Sequence, residues 1–213
     1  MMTLLLLFFP LVAALLVLLG GSRHAAKIAL GLAVAELAIT GYAWSVFNAS
    51  GPDSFYVFKE WITAPKVSFN LGLDGLSLAM VLLTNFLVPI IILSGFNRTI
   101  SHASGYFSLI LLMQFALIGV FTSLDGLLYY IFWELALIPI YFIALRWGGP
   151  RRVPVTLKFF IYTLAGSLLM LFGFIMLYWY NPGQSFNISE LYRIFISDSN
   201  QSWLFWMFFI AFA

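Results

Sequence analysis

The chain has no cysteine, and only 8% of its 213 residues are charged. The first absence excludes disulfides, thiolate catalysis, iron–sulfur ligation and cysteine-type zinc sites. The second excludes a soluble fold, because soluble domains keep about a quarter of their residues charged and need them to cover their surface. There is no basic tract suited to nucleic acid, no acidic tail, no repeat, and no nucleotide loop or flavin motif. His24 and His102 stand far apart beside basic loop residues and make no metal-ligand set. What is present instead is apolar: 63% hydrophobic and 19% aromatic residues.

That surplus falls into runs of membrane-spanning length, about 20 residues each. Six are complete: Thr3 to Gly20, Ile28 to Phe47, Leu76 to Phe96, Tyr106 to Ser123, Gly126 to Leu145 and Leu157 to Tyr180. A seventh begins near Ser202 and reaches Ala213, too short to cross, with Trp203 and Trp206 suited to an interfacial end as the alternative. The expected fold is an all-α polytopic membrane helix bundle, 1–213 as one integral membrane domain, with six full spans and a truncated seventh. The first run is not a secretory signal, since Arg23 and Lys27 follow it and no positive segment precedes it. Arg98, Arg146, Arg151, Arg152 and Lys158 fall in the next inward loops, so the positive-inside rule places the N-terminus outside.

Two outer connections are long. Asn48 to Gly72 has alternating Val67, Phe69 and Leu71 after a Pro65 break, which predicts a small β-hairpin on the outer surface between spans two and three. In Asn181 to Gln201, Asn187 and Glu190 have capping-box spacing and predict a short interfacial helix over Leu191 to Ile196. Asn48, Asn97 and Asn187 begin Asn-x-Ser/Thr triplets, too common by chance to support glycosylation.

Glu134 interrupts the fifth run about 12 Å from Gly126 and about 17 Å from Leu145. A carboxylate in hydrocarbon is costly and is a functional hypothesis by default. Where burial disfavours its charge and a cation favours it, such a group can load and release a proton. Pro139 cannot donate to the Leu135 carbonyl, leaving an acceptor beside the acid in a bent helix. The plainer reading is a glutamate that only fixes helix packing. Lys158 opens the next helix, followed at i+4 steps by Tyr162 and Gly166, with Thr163 and Ser167 as an adjacent polar strip able to hold water. A snorkelling lysine explains Lys158 equally well. Asp74 and Asp125 precede the third and fifth spans as N-caps and are accessory candidates only. Glu36, with Thr40 one turn later, is a second intramembrane acid whose role the sequence leaves open. Pro89 bends the third span near Asn85.

The strings Phe132-Trp133-Glu134-Leu135-Ala136-Leu137-Ile138-Pro139 and Lys158-Phe159-Phe160-Ile161-Tyr162-Thr163, with Leu71-Gly72-Leu73-Asp74-Gly75-Leu76-Ser77, resemble subunit M, or chain 4, of proton-pumping NADH:quinone oxidoreductase. These are the antiporter-like membrane subunits of respiratory complex I. The resemblance covers nearly all of the chain from Leu71 on. It implies that residues 1–96 are N-terminal helices and 106–213 begin an antiporter-like helical repeat. It also implies a proton channel in which Glu134 is a channel residue modulated by lysines, Lys158 among them. NADH, FMN, iron–sulfur clusters and quinone are then expected on partner subunits, with no cofactor on this chain. The expected partners are other membrane-arm subunits, sister antiporter-like subunits and the lipid bilayer, most simply a bacterial inner membrane. The family's next lysine follows a string like Phe209-Ile210-Ala211-Phe212-Ala213, so the resemblance implies an N-terminal piece of a longer chain. A subunit of a multi-component sodium/proton antiporter and a non-transporting assembly scaffold are the alternatives.

Overall fold

A computed structural model describes residues 1–213 except Ala64, Asn97 and Ala213, and leaves the side chains of Ser50 and Asp53 undescribed. The triplet at Asn97 therefore lies outside the described residues. Among the described residues, six helices are long and apolar enough to cross a membrane: α1 (Met2–Leu19), α2 (Ala25–Ser50), α3 (Gly75–Ser94), α4 (Ala103–Thr122), α5 (Gly126–Trp147) and α6 (Arg152–Tyr180). The hydropathy reading of six spans holds, with the largest boundary difference at the start of α6. There the helix begins at Arg152, whose charge hydropathy rejects, and takes Pro154 into its first turn, where no intrahelical donor is needed. A short α7 (Ile188–Leu191) and α8 (Asp198–Phe212) follow.

Strands β1 (Val57–Ile62) and β2 (Val67–Leu71) form the expected antiparallel hairpin, pairing Val57 with Leu71 and Glu60 with Ser68. The register slips between Glu60 and Ile62, so Trp61 is the extra residue of a bulge.

Helix α4 is the centre of the bundle, packed against α1, α2, α3 and α5, while α6 joins α5 to α8. Ala25, Ala29 and Ala33 repeat at four-residue spacing on α2 and are fully buried with Ala13 and Ala14 of α1. Small side chains at that spacing let two backbones approach where no hydrophobic effect drives association. Nearer the hairpin, Leu6, Leu7, Phe55, Leu71, Phe115, Ile118 and Phe132 form a second apolar cluster.

The connections separate into two ends. At one, the turn between α4 and α5 is stitched into the hairpin by Gly72 N–H to the Thr122 carbonyl (2.9 Å) and Leu124 N–H to the Asn70 carbonyl (2.8 Å). The same turn bonds the loop after α6 through Gly126 N–H to Phe186 (2.8 Å) and Ile188 N–H to Leu124 (3.0 Å). Thr3 of α1 donates to the Phe55 carbonyl here as well. At the other end, the hydrogen bonds between elements among the described residues are Ser22 with Ser104 (3.2 Å) and the Trp147 indole N–H on the Ser101 carbonyl (2.8 Å), with Tyr106 packed edge-on against Trp147. Arg23, Lys27, Arg98, Arg146, Arg151, Arg152 and Lys158 belong to this second end, whereas every acid except Glu36 and Glu134 belongs to the hairpin end. The segregation matches the loop assignment made from sequence.

The expected helix over Leu191 to Ile196 is not formed: α7 ends at Leu191. Asn187 does cap it, accepting from Ser189 N–H at 3.1 Å, but the reciprocal half of the capping box is missing. Ser185 Oγ takes the Asn187 N–H at 3.0 Å, and Glu190 instead accepts from the Asn181 amide at 3.4 Å. Without that closure the helix stops after about one turn.

Candidate functional site

Helix α5 is fixed at its start by Asp125, which is fully buried. One carboxylate oxygen caps the helix, accepting from Leu127 N–H (3.1 Å) and Leu128 N–H (3.2 Å). The other accepts from Ser68 N–H (3.0 Å) and Ser68 Oγ (2.9 Å), tying the cap to β2. Four donors on one carboxylate make Asp125 a structural clamp. Asp74 caps α3 through Ser77 N–H at 2.7 Å, and that bond with the Ser77 hydroxyl holds its carboxyl below the usual range. It is exposed at the helix start, remote from Glu134.

From that clamp α5 crosses close to α4. A Cβ on Gly119 would fall within the Phe132 ring, so only glycine admits this approach. Phe132 faces α4, and Glu134, about 200° further round the helix, turns toward the other side. There it is half-buried, and its Oε1 is enclosed without a hydrogen-bond partner. Tyr130, one turn earlier, meets Ser167 of α6. Because α5 and α6 are antiparallel, this contact puts Glu134 level with about Thr163, and Lys158 about 7.5 Å further toward the basic end. Pro139 is buried within an unbroken α5. Trp133, stacked on Tyr129, meets Phe212 of α8 edge-on with ring centres 5.4 Å apart.

The polar strip of α6 is only partly drawn toward the acid. Ser167 is buried, with its hydroxyl donating to the Leu164 carbonyl (2.9 Å), and Thr163 donates to the Phe159 carbonyl (2.8 Å). Both hydroxyl hydrogens are therefore spent on α6 itself, leaving lone pairs as what the strip can offer to water. Lys158 and Tyr162 are exposed, with the ammonium 5.7 Å from the tyrosine ring centre in a cation–π arrangement. Among the described residues no three acid or histidine side chains gather as a metal site.

A buried polar chain joins α2, α3 and α4. Asn85 Nδ2 donates to Thr40 Oγ1 (2.7 Å) and, at 3.5 Å, to Glu36 Oε1. Gln114 Nε2 donates to Asn85 Oδ1 at 2.6 Å. Sequence reading found Glu36 and Thr40 but not Asn85 and Gln114 as their partners. The available signal was that each of these amides stands alone in an apolar span.

The family described as NADH:quinone oxidoreductase/Mrp antiporter, TM, matches residues 123–213, the segment that carries Glu134 and the α6 strip. NADH-quinone oxidoreductase subunit M of Rickettsia conorii is 34% identical over 97% of this chain and 44% of its own length. The chain belongs to this family of antiporter-like membrane subunits. F(420)H(2) dehydrogenase subunit M of Methanosarcina mazei is 39% identical over 74% of the chain and 33% of the relative. A chain in the structure of respiratory complex I from Thermus thermophilus with bound NADH superposes with a TM-score of 0.89 at 27% identity. That superposition covers 100% of this chain and 43% of the other. The chain thus spans between a third and a half of the length of these relatives. Family and spans together make it an integral membrane protein of the antiporter-like type.

Proposed function

We propose that this chain carries part of a proton path in a membrane-bound NADH:quinone oxidoreductase, and that Glu134 is the group that gains and loses the proton. One observation carries the reading: inside the family-matched segment, a mid-helix glutamate keeps an enclosed oxygen without a partner. The carbonyl of Leu135, freed by Pro139, stands beside it as an acceptor for water. Lys158 supplies the modulating charge from the next helix. Ser167 and Thr163 supply polar support, and Asp74 and Asp125 hold the helices that frame the path. Moving one charge against 100 mV costs about 2.3 kcal/mol, within the range that a change in ion pairing provides.

The redox groups, NADH, FMN, iron–sulfur clusters and quinone, belong to partner subunits in this reading, and the membrane is a bacterial inner membrane. The partners are other membrane-arm subunits, including sister antiporter-like chains. Glu134→Gln in the parent complex is expected to leave assembly and electron transfer to quinone in place while proton translocation is sharply reduced. Unchanged protons per electron in that variant would reject the assignment. The Methanosarcina relative supports a second reading of the electron donor, F(420)H(2) in place of NADH. Supplying each donor to isolated membranes and measuring quinone reduction separates the two.

A further inference from the structure

Glu36 lies mid-way along α2 and is 1% exposed. The groups around it are unevenly supplied with hydrogens. Gln114 donates to Asn85, Asn85 donates to Thr40 and Glu36, and the Thr40 hydroxyl spends its hydrogen on the Glu36 backbone carbonyl at 2.8 Å. Every donor along this line points toward Glu36. Two enclosed acceptors, Glu36 Oε2 and Gln114 Oε1, receive nothing. A third arises in the backbone: Pro89 stands four residues after Asn85 and cannot donate to its carbonyl. A buried pocket with acceptors to spare is short of a hydrogen.

Two ligands of matching chemistry present themselves, a proton and a metal cation. A hard cation needs several oxygens converging on one point. Here the Asn85 NH2 group, a donor, reaches both the Thr40 and the Glu36 oxygens, so the positive edge of an amide faces the two oxygens that would have to bind the ion. The arrangement therefore suits a proton. No charged side chain competes for it: α1, α3 and α4 carry none, and Lys27 is nine residues back along α2, about 14 Å away. Tyr42 of α2 is exposed, and Tyr106 of α4 packs against Trp147 at the basic end.

We propose that Glu36 is a second proton-binding centre, which takes up a proton at Oε2 and is positioned by Asn85 and Gln114. The carboxylate and the proton give the carboxylic acid; no other bond changes and no electron moves. The new O–H adds the donor that the pocket lacks, and releasing it restores the acceptor-rich state. The site lies one helix layer away from α5 and is independent of the assignment of Glu134.

The test is infrared difference spectroscopy between acidic and alkaline pH on the parent complex in lipid vesicles, without turnover. The expected result is a carboxylic-acid carbonyl band that shifts in heavy water, is lost in Glu36→Gln, survives in Glu134→Gln and moves in Gln114→Leu. A band unchanged in Glu36→Gln overturns the proposal, as does one unmoved in Gln114→Leu. Displacement of the band by sodium ions at fixed pH overturns it in favour of a cation site. Should Glu36→Gln fail to assemble, the Gln114→Leu band position and the sodium titration decide it alone. Because the spectra are read at rest, failure here is distinct from a failure of the Glu134 assignment, which is read as pumping.

Discussion

Glu36 and Glu134 are the same residue type at mid-helix, yet the two halves of the molecule treat them differently. Glu36 is enclosed, at 1% exposure, between α2, α3 and α4, and amides from α3 and α4 reach inward to it. Glu134 is only half-buried, and the α6 side chains nearest it spend their hydrogens on their own helix. Close packing surrounds one acid with fixed donors. The other stands beside a proline-freed carbonyl and a tyrosine, with no donor fixed on its enclosed oxygen. Depth alone therefore does not set how an intramembrane acid is answered; the number of helices converging on it does.

The largest expected effect is at the seam between the halves. Gly119→Val would drive its side chain into Phe132 and force α4 from α5, so folded protein recovered from membranes should fall to a small fraction of wild type. Adding Phe132→Ala should restore part of it, and no restoration would show that the seam is not where the two halves depend on each other. Next is Asn85→Leu beside Glu36, which strands acceptors on Glu36 and Thr40 and a donor on Gln114 at about 1–3 kcal/mol for each buried group left unpaired. A matching loss in thermal midpoint is expected; a loss no larger than that of Tyr130→Phe beside Glu134 would erase the contrast.

Asp74→Ala should cost about 1 kcal/mol, the usual worth of an N-cap. Since the folded state holds that carboxyl below its ordinary range, its stabilisation is present above the ordinary carboxylate pKa and fades as pH falls through the depressed value. The difference in midpoint between wild type and Asp74→Ala should shrink in acid accordingly. Smallest is Lys158→Met, expected to change stability by less than about 0.5 kcal/mol because the side chain is exposed. A larger loss would mean that the lysine is held by packing.

The helices and the hairpin were legible because both follow from local pattern: apolar runs of spanning length in one case, alternation around Pro65 in the other. The caps at Asp74 and Asp125 were legible for the same reason, being set by residues two or three positions away. What escaped were the bonds made at long separation. Nothing near Asp125 in the chain announces Ser68, and nothing near Glu36 announces Asn85 or Gln114, because a lone amide in an apolar run reads equally as packing or as solvent-facing. The extended helix over Leu191 to Ile196 failed on the same ground, when Ser185 and Asn181 took the partners that its capping box required.

The four main-chain bonds around Leu124 make the hairpin rim a knitted plate, while the described hydrogen bonds between elements at the opposite rim are one between a pair of serines and one from an indole. Any tilting of the helices would then pivot near Leu124 and swing widest around Ser101 and Arg151. Since the protein contains no native thiol to remove, paired spin labels could be placed at those two rims directly, and the amplitude of the swing read as a ruler.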